Sequence, residues 1–85
     1  MSVILDDYAR DVVVTRNGKH VVVDTRYVPW PLGRGYETGV YRCNTNGTVT
    51  NYITELDGKW YGESKEVADI EHVKMINKWI KETLV

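Results

Sequence analysis

Eighty-five residues, 42% hydrophobic and 27% charged, fit one small folded domain and argue against both a disordered chain and a two-domain one. Eleven basic and twelve acidic residues are interleaved to a net charge of −1, which disfavours duplex nucleic acid as a partner, since phosphate binding favours a clearly basic face. The single cysteine, Cys43, excludes an internal disulfide, no His/Cys cluster has metal-ligand spacing, and no apolar run approaches the roughly 18 residues of a membrane span. No metal, cofactor or membrane partner is therefore expected.

The opening Met1-Ser2-Val3-Ile4-Leu5-Asp6-Asp7 has no basic segment and breaks its apolar run with two aspartates, unlike a signal peptide. Together with the free thiol this gives the expectation of a cytoplasmic protein. A domain this small, without staples, often gains stability by association, so a homo-oligomer is expected.

Three Asx-Gly pairs punctuate the chain: Asn17-Gly18, Asn46-Gly47 and Asp57-Gly58. Each suits a tight hairpin turn, because Asn, Asp and Gly tolerate positive φ. The first hairpin is expected to pair about 10–16 with about 19–28. A two-residue turn would set Val14 against Val21, Val13 against Val22 and Val12 against Val23. Val12, Val14, Val21, Val23 and Tyr27 then share the better core face. The other face would carry Asp11 opposite Asp24 and a Val13–Val22 pair open to a partner. Val28-Pro29-Trp30-Pro31-Leu32-Gly33-Arg34-Gly35 is a loop, since two prolines and two glycines exclude a regular element.

The second hairpin is expected to pair about 36–43 with about 49–56, with Tyr41 opposite Tyr52 and Val40 opposite Ile53. A short strand at about 59–61 follows Asp57-Gly58. A helix is expected over about 65–83, with Ser64 as its N-cap. Its core stripe reads as Val73, Ile76, Trp79 and Ile80, leaving Val67 and Ile70 for a neighbouring element or another subunit. The fold class is α+β: a four- to five-stranded antiparallel sheet of consecutive hairpins with one C-terminal amphipathic helix packed on it, in a single domain, 1–85.

Candidate chemistry centres on two places. His72 falls inside the helical stripe with Asp69 three residues earlier, a spacing that allows an Asp–His hydrogen bond. Around the loop, Arg26, Tyr27, Trp30, Arg34 and Tyr36 fall within eleven residues. Guanidinium groups bind phosphates and aromatic faces stack on bases, while the same residue types anchor protein interfaces. Arg26, Trp30, Arg34, Tyr36 and His72 are thus the candidate ligand-binding set. No nucleophile elbow, phosphate loop or dinucleotide fingerprint occurs, and no spacing joins Cys43 to a histidine, so a non-enzymatic role is expected.

The strand Tyr36-Glu37-Thr38-Gly39-Val40-Tyr41, followed by a hairpin strand, Trp60-Tyr61 and a helix with Ala68…His72, resembles a group of small, mostly uncharacterised bacteriophage-encoded proteins. That group has Met where Gly39 stands and Gly where Glu71 stands. The resemblance implies a phage origin and a host-cell cytoplasmic location. The resulting expectation is a binding protein that captures a small anionic or nucleotide ligand, in the manner of proteins that counter host defence signalling. The alternative is an inhibitor or regulator acting by direct contact with a host protein.

Overall fold

The computed structural model describes residues 7–33, 35–52 and 54–85. Four strands, β1 (Asp7–Val14), β2 (His20–Val28), β3 (Gly35–Arg42) and β4 (Asp57–Gly62), form one antiparallel sheet in the order β1-β2-β3-β4. One helix, α1 (Lys65–Ile80), follows and packs on one face. The α+β class and the consecutive antiparallel order match the expectation.

The first hairpin is one residue out of the expected register. Val13 opposes Val21, Val12 opposes Val22 and Asp11 opposes Val23. The cause is the turn. Gly18 N–H donates to Thr15 O, and Thr15 N–H to Lys19 O, closing a loop of three residues, 16–18, in which Gly18 takes φ +81°. A type I turn ending in a left-handed glycine adds one residue to the connection. Because side chains alternate along a strand, this single residue moves every β1 side chain to the other face. Val13, Val21 and Val23 lie under the helix, while Val12 and Val14 are exposed. Val13 and Val22 are buried on opposite faces, so the expected open Val13–Val22 side is absent. Asp24 opposes Arg10, which removes the expected Asp11–Asp24 pair.

The run 49–56 is not a strand among its described residues; Ile53 lies outside them. After a bridge between Cys43 and Val49 the chain crosses the sheet face opposite α1. Tyr52 reaches Tyr41 there, with ring centroids 5.3 Å apart, and Arg10 donates to Gly47 O at 2.8 Å. β4 takes the β3 edge instead, so Val40 pairs with Asp57. The physical reason is in Asp57 and Val22. Asp57 Oδ2 accepts from Lys78 Nζ at 2.7 Å and Trp79 Nε1 at 3.1 Å, tying β4 to the helix. The fully buried Val22 on the other face needs a cover, which the crossing segment supplies.

Ser64 caps α1, accepting from Val67 N–H at 3.3 Å. The buried helical stripe is Ala68, His72, Met75 and Trp79, with Ile76 packed against the core; of the expected Val73, Ile76, Trp79 and Ile80, only Val73 and Ile80 are exposed instead. Apolar residues occur all around this helix, so spacing alone supports two stripes. Met75 and Trp79 settle the choice, because they fill the shallow floor made by Val21, Val23 and Val40. A fully buried side chain of this kind is worth roughly 1.5–3 kcal/mol. The helix stops at Ile80, earlier than expected. Arg16 N–H donates to Glu82 O at 3.0 Å, and Leu84 returns to the core.

Candidate functional site

Alternation along β2 places neighbouring side chains on opposite faces, and this divides the expected ligand-binding set. Thr25 and Tyr27 face α1, while Asp24 and Arg26 face away from it. His72 is buried beneath the helix, with Nδ1 2.6 Å from Thr25 Oγ1. Tyr36 pairs with Tyr27 on that same face, ring centroids 4.9 Å apart. Arg26 opens on the other face, with its guanidinium 2.6 Å from the buried carboxylate of Asp24. Trp30 stands in the loop beyond β2, 80% exposed. Arg34 lies outside the described residues. The four described members of the set therefore do not line one cavity.

Beneath α1, four elements contribute one side chain each to a polar seam. His72 Nε2 lies 2.7 Å from Asp11 Oδ2, Nδ1 lies 2.6 Å from Thr25 Oγ1, and Thr25 Oγ1 lies 2.5 Å from Thr38 Oγ1. With the ring proton on Nε2, the imidazole donates to Asp11 and accepts from Thr25, which in turn accepts from Thr38. Every member of this order is satisfied, as burial requires. The expected Asp69 is exposed, and its place is taken by Asp11, brought across by the β1–β2 register. Carboxylate, imidazole and hydroxyl stand in the order used to activate a nucleophile. Thr25, however, is 0% exposed, so no substrate reaches its oxygen. The seam joins helix to sheet.

The other face carries a cleft of about 280 Å³. Arg26, Glu37 and Trp60 form one row across β2, β3 and β4. Tyr41, Glu55 and Lys59 complete the wall. Tyr41 Oη donates to Glu55 Oε2 at 3.1 Å. Burial, the Glu55 charge and that hydrogen bond push the Tyr41 phenol up to about 12. The Lys59 side chain, opposite Thr38, runs to the helix side, where its ammonium lies 3.4 Å from Glu71. Of the described members of the expected set, only Arg26 lines this cleft. Trp60, Glu37 and Glu55 were not singled out from sequence, because their approach to Arg26 depends on a strand pairing, β3 with β4, that the turn signals alone do not specify.

The 29–33 loop closes on itself through Gly33 N–H donating to Pro29 O at 3.0 Å, and it lifts Trp30 and Leu32 into solvent, the latter 63% exposed. Among the described residues no group of three or more His, Cys, Asp or Glu is placed to hold a metal, and no helix is long and apolar enough to cross a membrane. No family model, curated protein or solved structure matches the chain.

Proposed function

We propose that this protein is a non-catalytic binding module that acts by direct contact with another protein through the 29–33 loop. The observation that carries this reading is the exposure of Trp30 at the tip of a loop closed by its own hydrogen bond. Tryptophan is enriched among the few residues that dominate interface energies, and a pre-ordered loop loses little entropy on binding. The resemblance to small bacteriophage proteins supports a bacterial host protein as the partner, with inhibition or regulation as the outcome. Affinity capture from bacterial lysate tests the proposal. The expected result is a stoichiometric protein partner retained by the wild type and lost with Trp30→Ala. Equal recovery with both, or no partner with either, overturns it.

A second reading, capture of a small anionic or nucleotide ligand such as a defence signal, is favoured by the cleft that Arg26 and Trp60 line. Guanidinium and indole together suit a phosphate and a stacked base. Calorimetry against cyclic and linear nucleotides separates the two readings. Heat that disappears with Arg26→Ala supports the ligand reading, and silence across the panel removes it.

A further inference from the structure

The side of α1 turned away from the sheet carries three apolar residues and one asparagine at spacings of three, four and three. Ile70 and Val73 come first, and Asn77 and Ile80 repeat the pattern. All four are exposed, Ile70 at 57%, Val73 at 55% and Ile80 at 49%. On a helical wheel they lie nearly opposite the buried stripe of Ala68, His72, Met75 and Trp79. A spacing of three and four is the a/d pattern of a coiled coil, with Ile70 and Asn77 at a, and Val73 and Ile80 at d. We propose that this outward face of α1 is a short parallel coiled-coil seam for a second copy of this chain.

Two further features select that occupant. Asn77 sits at an a position, where a lone asparagine pairs with its own counterpart in a parallel two-stranded coil and fixes the register. Asp69 and Lys74 occupy the flanking g and e positions, five residues apart. That is the separation at which opposite charges meet between parallel helices. Both are exposed, and Lys74 also pairs with Glu71 in its own helix at 3.5 Å. A parallel pair brings Asp69 of each copy to Lys74 of the other, two contacts related by the dimer axis. An antiparallel pair brings the two Lys74 side chains together and leaves each Asn77 facing Val73. The charge pattern therefore fits a second copy aligned in the same direction. Two heptads make a smaller contact than the roughly 800 Å² per partner of a standard interface, so the association is weak and concentration-dependent.

Sedimentation equilibrium of the whole chain, from low micromolar to sub-millimolar concentration, tests the seam. The wild type is expected to shift from monomer to dimer, and Val73→Glu to stay monomeric with an unchanged circular dichroism spectrum. Asp69→Lys and Lys74→Asp are each expected to weaken the dimer about tenfold. An equimolar mixture of these two variants is expected to recover it as a heterodimer, because both cross-helix pairs become opposite in charge. A wild type that remains monomeric throughout overturns the proposal, as does a dimer unaffected by Val73→Glu. A mixture that fails to recover association overturns the parallel alignment.

Discussion

Asn17 holds Leu84 as one strand holds its neighbour: Nδ2 donates to Leu84 O at 2.6 Å, and Oδ1 accepts from Leu84 N–H at 3.1 Å. A turn residue thus pairs with backbone 67 positions away and keeps Leu84 in the core. Asn17→Ala is expected to cost about 1–3 kcal/mol, two part-buried hydrogen bonds at about 0.5–1.5 kcal/mol each. Asn17→Asp keeps the acceptor, loses the donor and should fall between. Urea denaturation midpoints measure the loss. Hydrogen exchange at the Leu84 amide distinguishes local release of the tail from global destabilisation, since release speeds that amide more than those of β2.

The His72 seam yields a sharper contrast. Thr25→Val keeps the shape of the side chain but removes the hydroxyl between His72 and Thr38, and is expected to cost about 1–3 kcal/mol through the stranded groups. His72→Ala removes the side chain of a residue 5% exposed and opens a cavity as well, with an expected loss of about 2–4 kcal/mol. If Thr25→Val costs nothing while His72→Ala keeps its full cost, the imidazole contributes contact volume only, and the hydrogen-bonded order described above is not what stabilises it. Chemical denaturation of both variants under one buffer makes the comparison.

How much of this was legible in the residues varies with range. Ser64 as a cap, the helix and the presence of a first hairpin rest on contacts close in sequence, and the structure has them. The β1 register did not follow, because Asn17-Gly18 is compatible with either a two- or a three-residue turn. One residue there decides whether Val12 or Val13 enters the core. The helix stripe did not follow either. Val73 and Ile80 match helical spacing as well as Met75 does, and only the valine floor of the sheet chooses between them. The candidate site failed for the same reason. Arg26 and Tyr36 are ten residues apart in sequence, but strand alternation sends their side chains to opposite faces. Asp11, the partner His72 finds, is brought to it by that unforeseen register.

Trp30 and Trp79 should separate function from stability. Trp30 touches little, so Trp30→Ala is expected to change stability by no more than about 0.5 kcal/mol. Trp79 is buried, packs against the sheet and donates to Asp57, so Trp79→Ala is expected to cost about 3–5 kcal/mol. Thermal melts of the two variants check this. A marked loss from Trp30→Ala would mean that the loop supports the fold, and the partner-capture result would then need a milder substitution such as Trp30→Tyr.

Asp57 gives the protein an acid-sensitive tie. Burial pushes its carboxyl up, but hydrogen bonds from Lys78 and Trp79, together with the Lys78 charge, outweigh that and hold it below the usual 3.8. A carboxyl lowered in the folded state adds stability that is complete above the unfolded value and is lost as pH falls through the folded one. The contribution is therefore present at neutral pH and disappears below about pH 4. Stability measured from pH 6 down to pH 2 should fall less steeply in Asp57→Asn than in the wild type, from a lower starting point. Parallel curves would show that the tie has no ionic part.

Tyr41 should mark the alkaline side. Burial is the largest cause of its rise to about 12, with the Glu55 charge and hydrogen bond adding to it. A phenol raised in the folded state favours the fold fully below its unfolded value of 10.0, and that advantage is lost as pH climbs toward 12. The chain has six tyrosines, and Tyr27 and Tyr61 are also shifted upward, so a simple absorbance titration blends them. The difference between wild type and Tyr41→Phe isolates the residue and is expected to show one phenol ionising late. Glu55→Gln removes the neighbouring charge while leaving the burial, and should bring that phenol part of the way back toward 10. A Tyr41 component that ionises near 10 in the wild type would mean that water enters the cleft freely. Arg26 and Trp60 would then line open surface rather than a cleft that shields the Tyr41 phenol.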